Sequence, residues 1–168
     1  MAIYTKTGDK GETRVFDKKT QDLIKVSKTS CKIAAIGAMD ELNSFLGIIS
    51  GQTDIQGDLF TINSILAGSK LRFSKIKTKK LEKAVDKWEG ALPVLKNFIY
   101  YGGTPEASML FYARALCRRA ERSLVEFSKE QKIPEAILTY MNRLSDYLFM
   151  LARSVNYRKG ISETFWKR

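Results

Sequence analysis

Four arginines and one glutamate fall within a short stretch, at spacings that could form a binding site for a polyanion. Arg114, Arg118 and Arg122 recur every fourth residue, so on a helix they lie along one side, flanked by Arg119 and Glu121. An apolar stripe at heptad spacing borders this arginine row: Leu110, Ala113, Cys117, Ala120, Leu124 and Phe127. A guanidinium group can donate two parallel hydrogen bonds to phosphate oxygens, and it stays charged when partly desolvated. The row therefore predicts an anion site beside a buried seam, with a solvated basic face as the simpler alternative.

A segment over residues 3–16, rich in glycine and threonine, offers a second set of groups suited to phosphates. Two glycines permit close approach of the backbone, and basic side chains add positive charge. The residues concerned are Gly8, Gly11, Lys6, Lys10 and Arg14. The GxxxxGK[ST] spacing of a Walker A loop is absent. We expect an ordered loop here, followed over residues 17–32 by a polar, basic linker.

The 168-residue chain has a net charge of +11 and contains no histidine. The charge predicts attraction to anions such as nucleotides, nucleic acid or a polyanionic cofactor. The lack of histidine excludes Ser-His-Asp and Cys-His catalysis and histidine-ligated metals, so any chemistry must depend on positioning and electrostatics. Cys31 and Cys117 have no metal-ligand or redox spacing, and no apolar run approaches the ~18 residues of a membrane span. We therefore expect a reduced, cytoplasmic protein.

Apolar residues recur at helical spacing along most of the chain and predict an all-α, five-helix bundle. The predicted helices cover about 33–50, 56–67, 78–90 and 105–129, and the last begins near Pro134. Residues 1–168 then form a single domain, with an N-terminal loop and linker over 1–32 and the bundle over 33–168. The lysine-rich segment 70–80 is predicted to be a solvated connector, with contact to nucleic acid as the alternative.

Two other stretches predict contacts outside the core. Asp40 lies opposite the apolar stripe of the first helix, on a mixed face with Ile36, Asn43 and Gly47, which suggests contact with another subunit. Residues 97–105 are predicted to be extended. Their aromatic side chains, which precede a double glycine, could line a ligand pocket or pack in the core.

Five motifs in register from Ile3 to Trp166 resemble those of the ATP:cob(I)alamin adenosyltransferases of the propanediol-utilisation type. They are Tyr4-Thr-Lys-Thr-Gly-Asp-Lys-Gly11, Asp40-Glu-Leu-Asn43, Gly102-Gly103, Arg114-x3-Arg-Arg-Ala-Glu-Arg122 and Asn142-Arg-Leu-Ser-Asp-Tyr-Leu-Phe149. The resemblance implies a homotrimer of five-helix bundles, with ATP in the cleft between neighbouring subunits and the corrinoid beside it. The implied reaction transfers the 5′-deoxyadenosyl group of ATP to Co(I) of cobalamin, giving adenosylcobalamin and triphosphate.

The resemblance also implies the site residues, motif by motif. In the N-terminal segment the implied ATP-binding residues are Thr5, Lys6, Thr7, Gly8, Thr13, Arg14 and Lys28. In the helices they are Arg118, Arg119, Glu121, Arg122 and, on the adenine side, Asn142. Asp40 and Arg114 match an ion pair across the subunit boundary. Mg²⁺ is implied as part of the ATP complex, held through the phosphates, and no residue is assigned as its ligand.

The implied mechanism needs no protein base, which agrees with a chain that lacks histidine. Co(I) attacks the 5′ carbon of ATP and triphosphate leaves, while Arg118, Lys6 and Mg²⁺ neutralise the growing charge. Phe98 matches the aromatic residue that displaces the lower axial ligand of the corrinoid. Tyr100 and Tyr101 replace the family's usual Leu-Pro and are expected to shape the corrinoid wall.

Residues 29–36 lack the family's usual acidic pair, proline, glutamate and tyrosine. One alternative is therefore a catalytically inactive ATP-binding relative. Another, motivated by the net charge, is a basic helical bundle that binds nucleic acid, although nucleic acid is the less favoured partner. For an active enzyme, the further expected partners are a reductase and a B12-dependent acceptor enzyme.

Overall fold

The structure is a computed structural model that describes residues 6, 8–17 and 20–167. A short antiparallel hairpin comes first: β1 (Glu12–Asp17) and β2 (Asp22–Ser27). Five helices follow: α1 (Cys31–Leu46), α2 (Thr53–Leu66), α3 (Lys75–Ala91), α4 (Pro105–Ser128) and α5 (Glu135–Arg158). Ser30, Ser74 and Thr104 cap α1, α3 and α4, because each hydroxyl accepts a hydrogen bond from a backbone N–H of the first turn. The predicted five-helix bundle is confirmed.

The two longest helices, α4 and α5, pack along each other at the centre of the bundle. α1 packs on α4, α3 packs on α5, and α2 packs on α1. The apolar stripe of α4 is buried as its spacing predicts, including Cys117. The neighbouring arginine row is thereby held at the edge of the core. Within the described ranges, no helix combines the length and the apolar character needed to cross a bilayer.

The predicted linker over residues 17–32 is wrong, because much of it belongs to the β-hairpin. The Asp17 carboxylate closes the turn by accepting hydrogen bonds from the N–H and the hydroxyl of Thr20, at 3.3 and 3.2 Å. Val15 is the only buried residue of the two strands. A hairpin that buries so little lacks the apolar alternation by which a half-buried strand is recognised in a sequence.

The hairpin lies beside the end of α2, where Gly68 permits a close contact. Gly68 has a φ of +115°, and a Cβ at this position would lie 2.5 Å from the backbone oxygen of Phe16. Only glycine is compatible with both the backbone conformation and the short distance. This contact places the Phe16 end of the hairpin next to the end of α2.

The lysine-rich segment 70–80 is only in part the predicted connector. From Lys75 onward it forms the first turns of α3, in which Thr78 and Leu81 are buried. Lys79 and Lys80 are exposed on the other side of the helix. The segment is thus the start of an amphipathic helix whose outer face is basic.

The mixed face of α1 is covered by α2 rather than wholly available to another subunit. Asn43 is buried, and the amide of Gln56 donates to its backbone oxygen at 3.1 Å. Asp40 is still exposed, and its carboxylate accepts a hydrogen bond from Asn63 at 3.2 Å. We therefore expect only the exposed surface around Asp40, and not the whole mixed face of α1, to contact another subunit.

Candidate active site

The arginines of α4 differ in what they contact. Arg119 forms an ion pair with Glu41 of α1. Arg118 and Arg122 are exposed, and within the described part of the chain neither has a side-chain hydrogen bond or an ion pair. Two uncompensated guanidinium groups one helical turn apart create positive potential where a phosphate chain could bind. This arrangement favours the anion site over an internally paired basic face.

Glu121 connects the arginine row to α5. Its carboxylate accepts a hydrogen bond from the side-chain amide of Asn142 at 2.9 Å. Beneath this pair, the Cys117 thiol donates to the backbone oxygen of Met141 at 3.3 Å, and burial raises the pKa of that thiol. The thiol therefore stays protonated and acts as a packing group. The structure brings the acidic and amide residues predicted for ATP binding together on one surface with the arginines.

The N-terminal candidates gather around a backbone turn. The Lys28 ammonium group donates to the backbone oxygen of Gly8 at 2.7 Å, and the Lys28 N–H donates to the oxygen of Gly11 at 2.9 Å. Gly11 has a φ of 80°, which favours glycine. Thr13 and Arg14 follow in β1. Lys6 is exposed, and the predicted ATP-binding residues Thr5 and Thr7 lie outside the described residues.

A cleft of about 640 Å³ lies beside Arg114 and is lined by Phe98, Tyr101, Phe149 and Trp166, among others. The Phe98 side chain is 81% exposed. The guanidinium carbon of Arg114 lies 5.4 Å from the ring centroid of Tyr101 and 5.3 Å from that of Phe149. Arg114 also donates to the Tyr101 hydroxyl at 3.3 Å. An open aromatic wall with a cation at its edge suits a large, flat ligand.

The three aromatic residues predicted for the corrinoid wall do not share one cleft. Tyr101 stacks on Phe111 with ring centroids 5.1 Å apart, and it lines the 640 Å³ cleft together with Phe98. Tyr100 lines a neighbouring pocket of about 130 Å³ instead. Successive side chains of an extended segment point to opposite sides, so the two tyrosines are separated. Asp40 and Arg114 are predicted to pair across two subunits; within this chain Asp40 accepts from Asn63, and Arg114 donates to Tyr101.

The double glycine is held by Asn156, a residue that the sequence analysis did not identify. Its buried side chain accepts from the Thr104 N–H at 3.0 Å and donates to the Gly102 oxygen at 2.8 Å. Gly103 has a φ of +107°, and a Cβ there would lie 2.3 Å from the Asn156 side-chain oxygen. The only hint in the sequence is the position of this polar residue next to Val155, one of the buried apolar residues of α5.

The C-terminal segment also contributes to the cleft. Beyond α5 the chain turns back and pairs with the segment that carries Phe98, with Ile99 and Phe165 as antiparallel bridge partners. The Tyr100 N–H donates to the Thr164 oxygen at 2.9 Å, and the Trp166 N–H donates to the Phe98 oxygen at 2.8 Å. This pairing explains why Trp166 lies in the wall of the cleft.

The chain resembles known proteins along its whole length. The sequence profile of a family described as cobalamin adenosyltransferase matches residues 3–155. The corrinoid adenosyltransferase of Bacillus subtilis is 39% identical over 186 residues, covering 100% of this chain and 93% of the relative. The cobalamin adenosyltransferase of Cupriavidus metallidurans is 38% identical over 178 residues, covering 99% of this chain and 94% of the relative.

Solved structures agree with these sequence relationships. A variant of the PduO-type ATP:corrinoid adenosyltransferase from Lactobacillus reuteri, solved with cobalamin and ATP, superposes with a TM-score of 0.90. It is 34% identical, and the match covers 99% of this chain and 100% of that one. Another variant of that enzyme, solved with ATP, has a TM-score of 0.88 at 36% identity, covering 98% and 100%. The chain described here is a member of the cobalamin adenosyltransferase family.

Proposed function

We propose that the protein transfers the 5′-deoxyadenosyl group of ATP to Co(I) of cobalamin, giving adenosylcobalamin and triphosphate. The observation that carries this proposal is the proximity of two features along α4. The uncompensated Arg118 and Arg122 suit a triphosphate, and Arg114, one turn before Arg118, forms the edge of the open aromatic cleft. The relatives at 38–39% identity are named for the same transfer.

In the proposed reaction, the electron pair of Co(I) forms the Co–C bond while the bond between C5′ and its oxygen breaks. The electron pair of that bond leaves with triphosphate, so no proton has to be moved. The protein has to align the two substrates and stabilise the growing negative charge. We assign that stabilisation to Arg118 and Lys6, with Arg119 and Arg122 on the phosphates and Asn142 on the adenine.

Mg²⁺ fits the triphosphate side of this site. It prefers carboxylate and phosphate oxygens, and Glu121 supplies the carboxylate within the arginine row. We propose that phosphate oxygens supply most of the ligands of the ion. Glu121, held by its hydrogen bond from Asn142, is proposed to help place it. The N-terminal candidates, Thr5 and Thr7 included, are proposed to wrap the rest of the triphosphate.

The corrinoid is proposed to bind in the 640 Å³ cleft, against Phe98 and Tyr101. The exposed Phe98 ring is available to occupy the position of the lower axial ligand, which would make Co(II) easier to reduce. Tyr100 faces another pocket, so Tyr101 is the tyrosine that we assign to the corrinoid wall.

The assembly is proposed to be a homotrimer with each site between two subunits. The N-terminal turn held by Lys28 precedes α1, whereas the arginine row lies on α4. A neighbouring subunit could bring its own N-terminal turn to the arginine row, with Asp40 of one subunit paired to Arg114 of the next.

We further propose a reductase that supplies Co(I), a B12-dependent enzyme that accepts the product, and a cytoplasmic location, where the free Cys31 and Cys117 stay reduced. Nucleic acid is not a proposed partner.

The test is an anaerobic incubation of the protein with MgATP and cobalamin reduced to Co(I), followed by visible absorbance. We expect enzyme-dependent loss of the Co(I) spectrum and formation of a light-sensitive alkylcobalamin. Arg118→Ala should lower the turnover on the order of 10²–10³-fold, because its charge acts on the leaving group. Lys129→Ala is the control, since Lys129 is an exposed cation paired with Glu126, and it should retain the parent rate.

Two outcomes would contradict this proposal. Equal turnover by parent and Arg118→Ala would mean that the arginine row does not stabilise the leaving group. ATP binding without any conversion of Co(I) would favour the catalytically inactive relative.

A further inference from the structure

A buried arginine near the end of α5 has no part in the function proposed so far. Arg153 is 5% exposed. Its Nε and Nη2 donate to the two carboxylate oxygens of Glu163 at 2.5 and 3.3 Å, and Nη2 also donates to the Pro93 oxygen at 2.7 Å. A buried guanidinium requires such partners, because removing one of them leaves a charge without compensation.

The partners of Arg153 flank the stretch over residues 97–105 that carries Phe98, called the Phe98 segment below. Pro93 precedes that segment along the chain. Glu163 lies in the C-terminal segment that pairs with it, just before Thr164, whose oxygen accepts from Tyr100, and Trp166, which donates to the Phe98 oxygen. One guanidinium thus contacts both the chain that leads into the Phe98 segment and the C-terminal segment beside it.

The Phe98 segment depends on such support. The Phe98 side chain is 81% exposed, so its own packing does little to fix it. The pairing of the Phe98 segment with the C-terminal segment is an isolated bridge between Ile99 and Phe165, and so short a pairing is marginally stable in water by itself. Apart from the packing of Ile99 on the core and of Tyr101 on Phe111, the ring position depends on the two backbone hydrogen bonds to the C-terminal segment and on the contacts that anchor that segment.

We propose that Arg153 and Glu163 are positioning residues for the corrinoid reaction: their buried ion pair holds the C-terminal segment against the Phe98 segment and so sets the position of the aromatic wall. This inference rests on the proposed function. It assigns no contact with substrate to either residue. A purely structural ion pair would stabilise the fold without affecting corrinoid binding, so an effect on corrinoid binding distinguishes the proposed role.

The experiment uses Trp166 as a reporter in the cleft. The chain has two tryptophans, Trp88 and Trp166, so Trp88→Phe leaves Trp166 as the only indole. In that background, Glu163→Gln keeps the shape of the side chain and removes its charge. Glu126→Gln is the matched control, because it breaks the exposed ion pair with Lys129, at 2.5 Å, on α4.

For Glu163→Gln without ligand, we expect Trp166 emission to shift to the red and acrylamide quenching to increase, because the C-terminal segment separates from the wall. The dissociation constant for aquocobalamin, measured by quenching of Trp166, should rise about tenfold or more, and kcat should fall on the order of tenfold to a hundredfold. The dissociation constant for MgATP and the far-UV circular dichroism should be unchanged. Glu163→Asp, which keeps the charge, should recover part of the corrinoid affinity, and Glu126→Gln should match the background protein.

If Glu163→Gln does not fold, the double variant Arg153→Met/Glu163→Met replaces it. Apolar replacement of a buried ion pair is often neutral for stability, and we expect this variant to fold and still bind corrinoid weakly. Parent-like Trp166 emission and corrinoid affinity in a folded variant would overturn the inference while leaving the proposed function intact. A background protein that neither binds nor adenosylates corrinoid would instead overturn the proposed function.

Discussion

At the scale of single residues, the double glycine shows how closely the wall segment approaches α5. Gly103 combines a φ of +107° with a position where a Cβ would meet the Asn156 side chain at 2.3 Å. The contact is required because Asn156 has to reach both the Gly102 oxygen and the Thr104 N–H. Thr104 in turn caps α4, so this contact connects the wall to the start of the arginine helix.

We predict that Gly103→Ala destabilises the protein by about 1–3 kcal/mol or more, from backbone strain and displacement of Asn156. The free energy of unfolding is measured by urea denaturation. Gly90→Ala is the matched control, since Gly90 lies in α3, and a Cβ there meets nothing within 4 Å. The control should be stabilised by about 0.5–1 kcal/mol. Equal effects of the two substitutions would contradict the role assigned to Gly103.

At the scale of elements, α2, α3 and α5 are joined by two polar contacts that share Asp58. The fully buried Tyr140 of α5 donates its hydroxyl to the Asp58 carboxylate of α2 at 3.0 Å. Asp58 also forms an ion pair with Lys77 of α3. Burial raises the pKa of the Tyr140 phenol, and the neighbouring Asp58 charge raises it further. The phenol therefore stays protonated in the folded protein at pH values where an unfolded tyrosine ionises.

This difference makes the Tyr140 contribution depend on pH. Because the folded pKa is raised, the contribution is complete below the unfolded pKa of about 10 and is lost as the pH rises above it, by at most about 1.4 kcal/mol per pH unit. Tyr140→Phe should cost about 0.5–1.5 kcal/mol at pH 8 through the lost hydrogen bond. The stability difference between parent and variant should shrink between pH 10 and 11.

The measurement is urea denaturation of parent and Tyr140→Phe at pH 8, 10 and 11. Tyr157→Phe, which removes an exposed phenol of the same helix, serves as the control for general alkaline destabilisation. A constant difference between parent and Tyr140→Phe across this range would mean that the Tyr140 phenol does not couple to folding.

At the scale of the whole molecule, the proposed ATP site draws on two separate parts of the chain. The turn held by Lys28 precedes α1, and Arg118 lies on α4. In a cyclic assembly, each subunit contacts its two neighbours through different surfaces. The proposed trimer would complete each site by joining the turn of one subunit to the arginine row of another.

Complementation between inactive variants tests this arrangement. Lys28→Ala and Arg118→Ala should each be nearly inactive alone. Mixed in equal amounts and reassembled, they should recover about a quarter of the parent activity, because that share of sites in a randomly mixed cyclic trimer has both parts intact. The assembly state is checked by analytical ultracentrifugation, and each variant reassembled alone is the control. Mixed trimers without recovered activity would place the complete site within one chain.

The sequence by itself determined the helices and the chemistry that they carry. Helical periodicity located all five helices, and the heptad stripe of α4 placed Cys117 in the core and the arginines at its edge. Spacing alone sufficed here, because neighbours on a helix are three and four residues apart. The motifs were also specific enough to indicate the family before any contact was known.

Only the tertiary structure decided how the aromatic wall is built and held. Arg153 and Asn156 contact residues up to 60 positions away in sequence, and such contacts leave no local pattern. Tyr100 and Tyr101 are adjacent in sequence but line different pockets, because the extended backbone turns successive side chains to opposite sides. The β-hairpin was missed for a related reason, since it buries only Val15. Local periodicity reports burial against a continuous core, and these features depend on backbone contacts between segments that are distant along the chain.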